Sequence, residues 1–294
     1  METINARVLR EGLAFGESPR WHEGRLWYSD FYRRAIYSLD SDGVHERLEV
    51  EVPGQPSGLG WLPDGDLLFV SMTDHHLRRR RRTDTTDFAD LTPYCGFWTN
   101  DMVVGSTGVS YVGNFGFDLD QMVADVAAEG LGAWLPVPTV LVVLGPDGAV
   151  RQVVPDLDFP NGTVLLRDER TLVVAETTAF RLSAFDVAED GTLSRRRVWA
   201  QLDGVAPDGI CLDVEGQIWV ADALTPRCLR VGEGGTVSAS VATSQRAFAC
   251  ALGGESGSSL FVMTAPDSSR FTVAERTDGR IEVAPVDVPG VGSP

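Results

Sequence analysis

Glu17, Ser57, the pair Asn100-Asp101, Asn161 and Asp208 each stand at the head of an apolar run, and each carries side-chain oxygen. A carboxylate at the mouth of a buried strand is costly, and carboxylates held close together repel unless a cation neutralises them. Oxygen-only donors suit hard cations, Ca²⁺ first, with Mg²⁺ or Mn²⁺ as alternatives. None of the four histidines falls at these points, which argues against a histidine-rich zinc site. Asn-Gly and Asp-Gly are also ordinary turn chemistry, and for a single copy that is the simpler reading. It does not account for Glu17, which is followed by Ser18-Pro19 rather than glycine. As a set, these residues point to a cation site.

Such residues converge only if the chain repeats. The clearest unit is Pro207 to Asp222, PDGICLDVEGQIWVAD: an apolar run, a Glu215-Gly216 turn and a second run of strand formers. The same plan recurs at Ser18–Asp30, Pro56–Met72, Asn100–Asn114, Asn161–Glu176 and, more loosely, Phe248–Thr264. With Glu17, Ser57, Asp101, Asn161, Asp208 and Ala249 as equivalent points, the spacings are 40, 44, 60, 47 and 41 residues. All-strand repeats of this length indicate a β-propeller. The expected fold is therefore all-β, a six-bladed β-propeller forming one domain over residues 1–294. Outer strands are expected at Ala35–Leu39 and Leu182–Asp186. Ile4–Arg10 and Arg280–Val286 should pair, so that the N-terminal strand completes the last blade and closes the ring.

The 60-residue spacing marks an insertion at about 117–136. Leu119, Met122, Val123 and Val126 make a helical stripe, Asp118 with Gln121 resembles a capping box, and Gly130 is a C-terminal stop. One short helix is expected there, over one mouth of the propeller, as a surface decoration or as a lid.

The motifs Glu17-Ser18-Pro19 with Trp21, Asn100-Asp101, Pro160-Asn161-Gly162, and Pro207-Asp208-Gly209 followed by Trp219-Val220-Ala221 carry a resemblance. In this order they are similar to the gluconolactonase, senescence marker protein and luciferin-regenerating enzyme family of six-bladed propellers. The resemblance implies that Glu17, Asn161 and Asp208 bind one divalent metal ion, Ca²⁺ or else Mg²⁺, Mn²⁺ or Zn²⁺. It places Asn100 beside the metal, as a further ligand or a substrate contact, and Asp101 in the substrate site. Asp208 is the implied general base of a lactone- or ester-opening hydrolase. The sequence departs from the family at Trp98, where an arginine used in sugar-acid recognition often stands, so a less polar lactone or ester is expected. Trp98, Phe115 and Phe117 are candidates for the wall of the substrate pocket, the alternative being core packing. Arg181 is a candidate to replace the missing arginine, the alternative being a salt bridge on the outer strand. His75 and His76 are read first as one exposed and one packed side chain, an acid–base role at the mouth being the alternative. The alternative to an enzyme is a non-catalytic propeller whose Ca²⁺ is structural and which binds a small molecule or a protein partner.

Composition sets the outer limits. The net charge of −17 disfavours a phosphate backbone, so nucleic acid is not an expected partner. Arg78 to Arg82 is read as an exposed, charged outer hairpin rather than a polyanion site. No run approaches the roughly 18 apolar residues of a membrane span. The start, METINARVLREG, is too polar for a secretory signal, and cytoplasmic residence is expected. Four scattered cysteines without a CxxC pair predict neither disulfides nor a thiolate metal site.

Overall fold

Short runs of strand-forming residues, cut by glycine-containing turns, fold into six sheets in the computed structural model, which describes residues 3–129 and 137–292. After β1 (Thr3–Asn5) and β2 (Arg7–Leu13), blade one holds β3 (Gly16–His22), β4 (Arg25–Asp30), β5 (Ala35–Leu39) and β6 (Arg47–Glu51). Blade two holds β7 (Pro56–Trp61), β8 (Leu67–Ser71), β9 (His76–Arg81) and β10 (Asp84–Asp90). Blade three holds β11 (Thr99–Val104), β12 (Ser110–Asn114), β13 (Thr139–Leu144) and β14 (Val150–Leu157). Blade four holds β15 (Pro160–Leu165), β16 (Thr171–Glu176), β17 (Arg181–Val187) and β18 (Leu193–Gln201). Blade five holds β19 (Pro207–Leu212), β20 (Ile218–Asp222), β21 (Arg227–Val231) and β22 (Val237–Ala242). Blade six holds β23 (Arg246–Gly253), β24 (Ser259–Ala265) and β25 (Gly279–Pro285). The chain is a six-bladed β-propeller.

The N-terminus closes the ring as expected: β2 pairs antiparallel with β25, Arg7 opposite Val283 and Leu13 opposite Gly279. The expected single strand is in fact split at Ala6. β1 pairs in parallel with β22, making a fifth strand of blade five. The N-terminus thus staples two blades, which covers an edge that would otherwise lie open.

The first strand of every blade touches the first strand of the next, from β3 through β7, β11, β15, β19 and β23 back to β3. Glycine lets these backbones approach. A Cβ on Gly58 would lie 2.4 Å from Met102 N, on Gly162 2.5 Å from Asp208 O, and on Gly209 2.6 Å from Ala249 Cα. The glycines after Asn161 and Asp208 therefore serve blade-to-blade packing. The apolar core lies between neighbouring blades, for example Ile36 and Val50 against Leu59 and Phe69.

The insertion forms α1 (Leu119–Glu129), with Asp118 Oδ1 accepting from Gln121 N at 3.1 Å as its cap. The remainder of the expected insertion, including the stop at Gly130, lies outside the described residues. A second helical turn, α2 (Arg270–Val273), was not expected. The two meet: Asp120 accepts from Arg270 N at 2.7 Å and ion-pairs with its guanidinium at 3.4 Å. Asp120, not a member of the apolar stripe, is the buried residue of α1 for this reason.

Candidate active site at the propeller mouth

The ladder between the two innermost strands shifts register at the same place in every blade. The shifts fall between Glu17 and Arg20, Pro56 and Leu59, Thr99 and Met102, Pro160 and Thr163, Pro207 and Ile210, and Ala247 and Ala249. Ser57, Asn100, Asp101, Asn161 and Asp208 lie inside these irregularities, and Glu17 borders one. A bulge releases side chains from strict alternation and re-aims them. Sequence reasoning placed these residues at strand mouths but did not anticipate the repeated bulge that turns them inward.

All six side chains are buried, between 1 % and 8 % exposed. Glu17 and Asp208 are held well above the usual carboxylate range. For Glu17 the cause is burial, then the charges of Asp208 and Asp101. For Asp208 it is burial, then Asp101, opposed by a hydrogen bond from Asn161. Glu17, Asn161, Asp208 and Asp101 therefore share one small volume. Asn161 Nδ2 donates to Thr177 Oγ1 at 3.3 Å, and Ser57 Oγ donates to Asn100 Oδ1 at 3.3 Å.

Asp208 Oδ1 is buried without a hydrogen-bond partner. An orphaned carboxylate oxygen among like charges is the setting a cation relieves. Two carboxylates and one amide make a donor set of the hard-oxygen kind, and it fits a divalent ion of that class. Among the described residues, no group of three or more His, Cys, Asp or Glu is arranged to hold a metal, so a metal set here would need a donor of another type, such as the Asn161 amide.

Asp101 is occupied differently. Its Oδ1 accepts from Ser18 Oγ at 3.1 Å, Arg20 Nη2 at 3.2 Å and Met102 N at 2.8 Å. Arg20 carried no sequence signal beyond its place after Ser18-Pro19. It brings a positive charge to the acidic cluster and also lines a cavity farther down the channel.

The acidic residues that end the second strands clamp the segments that precede the candidate ligands. Asp30 accepts from Ala14 N at 3.0 Å and Phe15 N at 3.2 Å, just before Glu17. Glu176 accepts from Asp158 N at 2.9 Å, before Asn161. Asp222 accepts from Ala206 N at 3.3 Å, before Asp208. Their signal in the sequence was a polar residue ending each strand.

The remaining candidates fall to the side. Arg181 Nε donates to Glu176 Oε1 at 3.0 Å, and its guanidinium lies 3.5 Å from Asp158, while Arg196 binds the same Glu176. This is the outer-strand salt bridge that the sequence left as the alternative. His76 Nδ1 lies 2.6 Å from Asp74 O and its Nε2 4.0 Å from Asp87, whereas His75 Nε2 is buried without a partner. In the arginine run, Arg78 pairs with Asp74 and Asp87, and Arg79 with Asp64 and Asp66.

Aromatic residues crowd the mouth end. Phe15, Phe31, Phe115, Phe117, Phe159 and Phe248 belong to one apolar cluster, with Trp98, Leu119 and Met122 packed against it. Phe15 lies 4.9 Å from Phe248 and Phe115 5.0 Å from Phe159, centroid to centroid. Trp98 stacks on Phe97 at 4.9 Å, and the Arg270 guanidinium stands 5.9 Å from its ring.

Comparison with known proteins agrees with the fold. A regucalcin from Danio rerio is 26% identical over 272 residues, covering 88% of this chain and 85% of its own. The solved structure of a calcium-binding protein, regucalcin, from Agrobacterium tumefaciens superposes with a TM-score of 0.80 at 20% identity, over 100% of this chain and 99% of that one. A gluconolactonase from Xanthomonas campestris superposes with a TM-score of 0.73 at 22% identity, over 97% and 90%. The family model described as SMP-30/Gluconolactonase/LRE-like region matches residues 15–266, and the chain belongs to that family.

Proposed function

We propose that the protein is a metal-dependent hydrolase that opens a lactone ring, or cleaves a related ester, at the mouth of the propeller. The observation that carries this reading is the unpartnered, buried Oδ1 of Asp208 beside Glu17 and Asn161. Glu17, Asn161 and Asp208 would hold one divalent ion, with Ca²⁺ favoured by the donor set and by the printed name of the Agrobacterium relative. When bound, such an ion supplies Lewis acidity toward a carbonyl and makes a water easier to deprotonate. Asp208 takes the proton of the attacking water as general base. Asn100 presents its amide to the substrate, and Asp101 keeps Arg20 under the cluster. The aromatic cluster, Trp98 included, excludes water and favours a weakly polar lactone over a sugar acid. Arg181 is left out of substrate binding, because Glu176 and Asp158 already engage it. The reading places the enzyme in the cytoplasm.

The test is metal content and turnover of Glu17→Gln and Asp208→Asn. Both variants are expected to lose stoichiometric divalent metal, and Asp208→Asn to lose roughly a thousandfold in kcat. Normal metal content in both would sink the ligand assignment. Metal binding with no turnover of any lactone or ester would leave a structural Ca²⁺ as the better reading.

A further inference from the structure

The inner strands of blades five and six run down the channel, away from the mouth, and bring two thiols together. Cys211 Sγ lies 3.7 Å from Cys250 Sγ. Cys250 is buried, its sulfur 3.6 Å from the carbonyl oxygens of Gly209 and Trp219, whereas Cys211 is half-buried. Both line a cavity of about 70 Å³ at the opposite end of the channel, framed by Arg20, Trp21 and the C-terminal residues Gly290 and Val291. That volume holds a few water-sized molecules. All four cysteines are free.

We propose that Cys211 and Cys250 form an oxidant-reactive dithiol site, which takes a small hydroperoxide through this lower cavity and closes to a disulfide joining blades five and six. A thiolate of the pair attacks the hydroperoxide oxygen. The O–O bond breaks, and protonation of the leaving oxygen gives an alcohol, or water from hydrogen peroxide, and a sulfenic acid. The second thiol then displaces the sulfenic oxygen, which leaves as water. The two sulfurs together give up two electrons, and the O–O bond receives them. Rotation about the side-chain bonds has to shorten the separation to the roughly 2.05 Å of a disulfide, a small movement for two facing thiols. The site does not depend on the hydrolase reading.

The experiment treats the purified, reduced protein with a few equivalents of hydrogen peroxide, removes the excess, and counts free thiols after denaturation. The count should fall from four to two, and a peptide map should join the Cys211 peptide to the Cys250 peptide. Cys95→Ser should still lose two thiols, whereas Cys211→Ser should form no cross-link. Cys211 is half-buried, and serine there tests the pair without emptying the buried site at Cys250. A wild-type count that stays at four, or a cross-link between Cys228 and Cys250, would overturn the proposal.

Discussion

Arg20 Nη2 donates to Asp101 Oδ1 at 3.2 Å and to Met102 O at 2.8 Å, tying blade one to blade three across the channel. Both side chains are largely buried, so the pair is screened little by water. Replacing Arg20 by methionine keeps most of the volume but strands Asp101 among Glu17 and Asp208. The expected loss is about 2 kcal/mol, as for a charged hydrogen bond in a protein interior. Urea denaturation of the metal-free protein measures it.

Gly162 fits between blades four and five only without a side chain. Its Cβ would meet Asp208 O and Ile210 N, both at 2.5 Å. Gly162→Ala should therefore push Asp208 away from Asn161, costing about 2 kcal/mol of stability and weakening cation binding as well. Calorimetric titration of the variant with Ca²⁺ checks the second effect.

Asp222 acts on Asp208 at one remove. Its Oδ1 accepts from Ala206 N at 3.3 Å and Leu224 N at 3.1 Å, and its Oδ2 from Arg227 Nε at 3.0 Å. Asp222→Asn keeps the shape but weakens these bonds. Cation affinity should fall about tenfold, in line with other residues that orient a ligand from behind. An unchanged dissociation constant would remove Asp222 from the positioning role.

The raised carboxyls give the pH dependence its sign. Glu17 and Asp208 hold protons more tightly when folded than when unfolded. Their contribution to the stability of the metal-free protein is therefore fully present below the ordinary carboxylate range and is lost as pH rises toward the raised values. A divalent cation competes with those protons, so the gain in Tm on adding Ca²⁺ should grow with pH. Thermal melts at several pH values, with chelator and with Ca²⁺, test both trends.

The hairpins were legible because each inner pair is an apolar run, a turn and a second apolar run, and β19 with β20 reproduces Pro207–Asp222. Ring closure was legible from the leftover strand at each end. The split at Ala6 was not, because β1 is only three residues long and its parallel partner β22 lies far away in sequence. The bulges escaped because the Pro-x-Gly motifs on which several of them fall read equally well as ordinary turn chemistry at a strand entry. Arg20 escaped because a single arginine on a strand has no spacing that marks it. α2 is four residues long, too short to show a helical period.

The most direct measurement is proton release from a panel of lactones and esters, followed by pH-stat with chelator-stripped protein before and after restoring one equivalent of divalent cation. Turnover should be absent without the cation, return with it, and favour weakly polar lactones over glucono-lactone. Hydrolysis that persists unchanged after stripping, or no hydrolysis of any lactone or ester with any divalent cation, would contradict a metal-dependent hydrolase built on Glu17, Asn161 and Asp208.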